Sequence, residues 1–370
     1  MHLRVGIVCY PTVGGSGVVA TEMANHLATL GHDVHILSYG RPTRLRPGVG
    51  GLRYHAVDVS AYPLFRFPPY DLALATRMLE VHEEHRLDLF HVHYAIPHAI
   101  SAFLARAMSR EPIKFVTTLH GTDITIVGAD RAYARPTRFA LEQSNAITAV
   151  SRFLADETAL MFGGRSPIHI VPNFVDVDRY KPGTKGRYYD RPEEERIIVH
   201  VSNFRPVKRT ADVVRAFSLI AAEIPARLVL AGEGPDLEHC LAVAADLGCR
   251  NRIEPVGNVS DIPALLADAD LKILASETES FGLALLEAMS CGVPCVSTNV
   301  GGVADTLGDT GLLAPLGDPA ALARAALRLL TDPDLHRDHS RRSRARAVTE
   351  FAEKQVVPKY LDVYRLALER

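Results

Sequence analysis

The sequence predicts an α/β protein made of two doubly wound domains, each with a parallel sheet. Three observations carry that reading. Short β-rich runs alternate with helical stretches along the chain, the pattern of a parallel sheet covered on both faces. Over residues 172–196 the alternation gives way to Pro, Gly, Tyr and charge without periodicity, a linker signature. The 370-residue length suggests roughly two domains, and 47% apolar content with no tryptophan fits layers built from Val, Ile, Leu and Ala.

In the first half, strands are expected at 4–9, 34–38, 89–93, 115–119 and 146–150, with helices at 18–30, 71–85, 97–108 and 135–142. The second half offers strands at 197–202, 227–231, 252–256, 271–275 and 295–297. Its helices fit 209–222, 237–247, 263–267, 282–289 and 320–330. A basic stretch at 341–346 reads as a solvated helix face, and 355–368 as an amphipathic helix. The expected division is 1–172, with residues 355–370 packing back on it, and 173–354. Two such domains would leave a cleft at the carboxyl ends of their sheets, where open α/β sheets bind ligands.

Charge excludes some partners. With 41 basic and 43 acidic residues there is no global field for nucleic acid or an anionic membrane. No apolar run approaches the ~20 residues of a membrane span, and the chain starts on a strand instead of a signal segment. Five cysteines, most within apolar elements, read as reduced buried thiols, and a cytoplasmic location is expected.

The most informative stretch is SETESFGLALLEAMSCGVPC, residues 276–295. It places Glu279 in a loop and Glu287 about a turn and a half into a helix beginning near Gly282. The free N–H groups at that helix start favour an anion. Carboxylates that grip hydroxyls beside an anion site suit a nucleotide sugar. Surface glutamates are the duller reading. A glycosidase acid pair is disfavoured, because eight helical residues rise roughly 12 Å while such acids sit roughly 5 to 9.5 Å apart.

Other motifs also follow strands. PTVGGSG at 11–17 could admit an anion at its glycines, with Ser16 as a helix N-cap in the plainer reading. It is not GxGxxG, and no acidic residue closes the second strand, so a dinucleotide is disfavoured. His120 stands in TTLHGTD at a strand end. His91, His93 and His98 lie near Tyr94, and a metal there lacks a carboxylate of suitable spacing. In SNFRPVKR, Arg205 and Lys208 open a helix and can both reach an anion. Such a pair could neutralise a leaving diphosphate without a metal, and no Asp-x-Asp follows a strand, since Asp176 and Asp178 fall in the linker. GEGPD and GNVSD close the next two strands as tight turns.

Together SNFRPVKR, GEGPD, GNVSD and ETESFGLALLEAMSCGVPC resemble the retaining glycosyltransferases of family 4, which have the GT-B fold. IVCYPTVGGSGVVATEMA, FHVHYAIPHA, TTLHGTDITIVG and VPNF resemble, within that family, the enzymes that open bacillithiol synthesis. The resemblance spans nearly the whole chain. It implies transfer of GlcNAc from UDP-GlcNAc to the hydroxyl of L-malate with retained α configuration. Catalytic roles would fall to His120, Arg205, Lys208 and Glu279. The donor would be met by Gly15, Asn173, Asn203, Gly232, Val259, Ser280, Phe281, Gly282, Leu283 and Glu287. Acceptor contacts would come from Ser16, Tyr94 and Thr118. No cofactor or metal would be required, and a homodimer follows by family analogy. The alternatives are an inositol phosphate acceptor for the same donor, a two-domain sugar-nucleotide epimerase, and a sugar-nucleotide-binding regulator without activity.

Overall fold

Parallel sheets are covered on both faces, and the central strands of this chain are buried along their whole length. The computed structural model describes residues 2–12, 14–60, 63–163, 167–183 and 188–370. Val13 of the first glycine-rich turn and residues 184–187 of the expected linker lie outside them. The chain divides into two units, Met1–Asn173 with Lys354–Arg370, and Phe174–Glu353.

The first unit runs β1 (Arg4–Val8), α1 (Ser16–Thr29), β2 (Asp33–Ser38), β3 (Leu52–Ala56), α2 (Tyr70–His85), β4 (Leu89–His93), α3 (Ile100–Met108), β5 (Phe115–Leu119), α4 (Ala134–Gln143), β6 (Ala146–Ala149), α5 (Arg152–Phe162) and β7 (Ile168–Ile170). All seven strands are parallel, in the order β3-β2-β1-β4-β5-β6-β7. Phe90 and Phe115 are fully buried in a core with Leu74 and Met78. Gly6 of β1 makes room for this packing, because a Cβ there would lie 2.4 Å from the Phe90 ring.

The second unit runs β8 (Arg196–Val201), α6 (Thr210–Glu223), β9 (Ala226–Ala231), α7 (Leu237–Asp246), β10 (Ile253–Gly257), α8 (Ile262–Asp268), β11 (Leu271–Leu274), α9 (Leu283–Ser290), β12 (Cys295–Thr298), α10 (Val303–Leu307), β13 (Leu312–Ala314), α11 (Pro319–Thr331) and α12 (Pro333–Glu350). Its six parallel strands lie in the order β10-β9-β8-β11-β12-β13. The last helix, α13 (Glu353–Glu369), docks on the first sheet. Its Tyr364 hydroxyl sits 2.7 Å from His91 Nδ1, and Lys114 Nζ donates to the Leu368 carbonyl.

Both sheets are doubly wound, so the expected fold class holds. Three strands were not anticipated, β3, β7 and β13, and each is a sheet edge. The expected solvated face at 341–346 is more tied down than that. Arg342 and Arg346 pair with Asp338 and Glu350, and Arg344 donates to the carbonyls of Tyr180, Ser290 and Val177 at 2.8, 2.7 and 3.0 Å. The five cysteines are buried and unbridged. Among the described residues no helix is long and apolar enough to cross a membrane.

Candidate functional site

In the second unit the site grows from three strand ends. After β8 the chain turns through Phe204, fully buried at φ 39°, into a 3-10 turn at Pro206–Lys208. The turn after β9 lies directly against it. A Cβ at Gly232 would come within 1.9 Å of the Ser202 carbonyl, and one at Gly234 within 1.9 Å of the Asn203 carbonyl. Gly232, at φ 115°, thus has a packing reason to be glycine independent of any ligand. Asn203 and Arg205 are exposed, and Arg205 has no carboxylate partner among the described residues. Val259 is half-buried in the turn after β10.

The third strand end carries Glu279. Its carboxylate accepts from Lys208 Nζ at 2.7 Å, with the two side chains 16% and 20% exposed. Its backbone is fixed from the other side. Gly302 donates to the Glu279 carbonyl at 2.8 Å, and Gly301, at φ 54°, would bring a Cβ to 2.1 Å from that oxygen. Sequence reasoning passed over this Gly301-Gly302 pair, although a double glycine after a strand was the available signal.

The helix expected from Gly282 begins one residue later, at Leu283, with Gly282 as its N-cap at φ 89°. No side chain caps it and no acidic residue occupies its first turn. The N–H groups at this start are therefore open to an anion. Ser280 and Leu283 are half-buried, Phe281 is buried with its ring 5.6 Å from Phe351, and Glu287 is buried on α9. Thr306 donates from its hydroxyl to the Phe281 carbonyl and fixes the loop entering the helix.

In the first unit, Gly15 at φ 63° forms the N-cap of α1, and Ser16 is the buried first residue of that helix. The plainer reading of Ser16 as N-cap is therefore corrected. The cap position needs a left-handed backbone that glycine adopts freely, and no side-chain cap forms. A Cβ at Gly17 would lie 2.5 Å from the Tyr10 carbonyl, so the turn packs against the end of β1.

His120 follows β5. Its Nε2 lies 2.8 Å from His93 Nδ1, and burial holds its pKa down near 3, so the ring is neutral. Asp123, missed by sequence reasoning, organises this turn. Its fully enclosed carboxylate accepts from the backbone N–H groups of His120 at 3.1 Å, Gly121 at 2.9 Å and Ala95 at 3.1 Å. Burial raises its pKa to about 6, against the lowering effect of those donors. Tyr94 holds φ 87°, strained for a tyrosine, and its ring centroid is 5.4 Å from that of His120.

Thr118 is fully buried, with its hydroxyl 2.6 Å from His91 Nε2 and 2.5 Å from Thr148 Oγ1. An acceptor would reach it only by opening that network. His91 is committed through both ring nitrogens, to Tyr364 and Thr118, while His93 meets His120 through Nδ1 and its Nε2 has no partner among the described residues. Asn173, the last residue of the first unit before α13, is buried with no partner for its Oδ1 among the described residues.

Known proteins resemble the chain along its whole length. Residues 13–179 match the family described as Glycosyltransferase Family 4, and residues 187–346 match Glycosyl transferases group 1. The chain is 46% identical to the N-acetyl-alpha-D-glucosaminyl L-malate synthase of Bacillus anthracis, over 98% of this chain and 97% of that one. It is 27% identical to a D-inositol 3-phosphate glycosyltransferase of Thermobispora bispora, over 96% and 91% of the two chains. A glycosyltransferase structure from Rickettsia africae superposes with TM-score 0.81 at 22% identity, covering 100% of this chain and 99% of that one. Anabaena HepE, solved with UDP and glucose, superposes with TM-score 0.82 at 19% identity over 98% and 100% of the chains.

Proposed function

The chain belongs to the family 4 glycosyltransferases, and on that premise we propose that it moves N-acetylglucosamine from UDP-N-acetylglucosamine to the hydroxyl of L-malate with retained α configuration. The observation that carries this reading is the second-unit cluster. An exposed Arg205, the Lys208–Glu279 pair and an uncapped α9 start stand together at the strand ends. Identity of 46% along almost the full length of both chains supports malate as the acceptor.

In this reading Glu287 holds the ribose hydroxyls and Glu279 those of the sugar. Arg205, Lys208 and the N–H groups at Phe281, Gly282 and Leu283 neutralise the diphosphate. Asn203, Gly232, Val259 and Ser280 line the nucleotide and sugar, Asn173 meets the sugar, and His120 lies against it as a neutral ring. Ser16 and Tyr94 face malate, and Thr118 meets it only once its bonds to His91 and Thr148 open. No metal is needed, because fixed cations stabilise the departing charge.

Catalysis is then positioning and electrostatics. The malate hydroxyl attacks the anomeric carbon on the face the diphosphate leaves. The carbon–oxygen bond to UDP breaks as the new one forms, and the hydroxyl proton passes to the leaving phosphate oxygen.

An acceptor screen tests the proposal. The protein is incubated with UDP-GlcNAc and, separately, L-malate, other hydroxy acids and inositol phosphate, and UDP release and product mass are followed. Malate is expected to support the fastest release with a product of GlcNAc-malate mass. Faster release with inositol phosphate, or release indifferent to acceptor, would reject it.

A further inference from the structure

Away from these residues, on the far strands of the first sheet, three histidines converge. His35 on β2 and His55 on β3 project from the same sheet face, since parallel neighbours in register share a side and residues two apart keep it. His85 ends α2 over that face. The His35 ring centroid is 5.1 Å from that of His55 and 4.3 Å from that of His85. One ring nitrogen of each lies within 4.8 Å of the others. We propose that His35, His55 and His85 form a binding site for a divalent metal of the zinc type, with its fourth position left to water.

The donor set favours such an ion. Three imidazoles suit zinc and its neighbours, whereas magnesium and calcium prefer oxygen. A tetrahedral zinc with bonds near 2.0–2.1 Å keeps its nitrogens roughly 3.4 Å apart. That spacing falls between the 2.9 Å separating His35 Nδ1 from His55 Nε2 and the 4.8 Å limit of the group. Small ring rotations therefore suffice. His35 and His55 are buried, while the His85 side chain is 21% exposed and leaves a route in.

The surroundings also match. Asp33 Oδ1 lies 3.6 Å from His35 Nε2, the far nitrogen, and pairs with Arg53, which itself lies 3.4 Å from that nitrogen; once Arg53 turns away, the carboxylate can orient a metal-bound imidazole and strengthen it as a ligand. Glu84 Oε1 is 3.5 Å from His85 Nε2. Without the ion, His35 Nδ1 and His55 Nε2 share a hydrogen bond at 2.9 Å, and Arg77 lies 3.5 Å from His55 Nδ1. Metal binding at His35 Nδ1 and His55 Nε2 leaves the ring protons on His35 Nε2 and His55 Nδ1 and displaces Arg53 and Arg77 from those nitrogens, and they keep Asp33 and Glu80 as partners. The ion would pin the C-terminus of α2 to the β2–β3 edge, so its effect falls on the stability of the first unit.

The test uses the tag-free full chain after chelator treatment and dialysis. Zn²⁺ is titrated calorimetrically, and Co²⁺ serves as a spectroscopic probe. One equivalent is expected to bind with micromolar or tighter affinity, with intense visible Co²⁺ bands of tetrahedral coordination and a raised melting temperature. His85→Ala, at a partly exposed helix end, should fold normally and lose the Co²⁺ bands. Asp33→Asn should weaken binding by roughly 10- to 100-fold. Absence of saturable one-equivalent binding in the parent chain, or unchanged binding in His85→Ala, would overturn the proposal.

Discussion

Lys208 and Glu279 meet at 2.7 Å across the ends of β8 and β11, each largely shielded from solvent. A cation already bound to a carboxylate has to be shared with, or released to, an arriving diphosphate. The pair is therefore a poised element, and the two partners should respond differently to mutation. Lys208→Ala should lower turnover by roughly 100-fold or more, the scale for removing one fixed charge-stabilising group. UDP affinity should change much less. Glu279→Gln should do the opposite to the nucleotide, tightening UDP through the freed ammonium while sugar transfer falls. Steady-state kinetics with calorimetric UDP titration separates the two, and an intact turnover number in Lys208→Ala would count against the assignment.

Gly301 predicts a remote route to the same loss. A methyl group at this position would press on the Glu279 carbonyl at 2.1 Å, in a backbone conformation with φ 54°. Gly301→Ala should displace Glu279 and weaken donor binding. Ala at the next-door Gly302, with φ −85°, makes the milder control for the same UDP-GlcNAc titration.

Asp123 predicts a defect in the turn that presents His120. Hydrogen bonds to a charged group contribute about 1.5–3 kcal/mol each, and this carboxylate serves three backbone donors. Asp123→Ala should lower unfolding stability by roughly 3 kcal/mol or more and reduce turnover. Urea denaturation and kinetics on the same preparation test both.

Lys272 predicts a pH dependence. It is fully buried on β11, and its Nζ has no hydrogen-bond partner among the described residues. Burial lowers its pKa from 10.5 to about 7. Between those values the unfolded chain holds a proton that the folded chain has released, so stability rises with pH by about 1.4 kcal/mol per unit. Below about pH 7 both states are protonated and this slope ends. The buried thiols Cys9 and Cys295, raised to about 12, act oppositely once unfolded cysteines ionise, near pH 8.5. Denaturation from pH 7 to 8.5 is therefore the clean window. Lys272→Met should remove the slope and stabilise the protein at pH 7, and an unchanged slope would refute the assignment.

What the sequence revealed and what it hid have a common physical cause. Central strands such as RVGIV and DVHILS are rich in β-branched and apolar residues and announce themselves. The edge strands β3 and β13 carry exposed or half-exposed residues, and β7 is half-exposed throughout, so the apolar signal thins. The candidate cluster was legible where glycine and charge follow a strand, as at Arg205, Lys208 and Glu279. Asp123 was hidden because nothing in TTLHGTD distinguishes a carboxylate that folds back on three amides from one facing solvent. The histidine cluster of β2, β3 and α2 was hidden because its members lie 20 and 30 residues apart, with no spacing that a metal motif would show.

The most direct measurement is the structure of the product. The protein is combined with UDP-GlcNAc and L-malate, and the purified product is read by proton NMR at the anomeric position. The account predicts GlcNAc joined to the malate hydroxyl oxygen with the small coupling of an α linkage. A β-linked product, free GlcNAc alone, or no turnover by a folded preparation would contradict it.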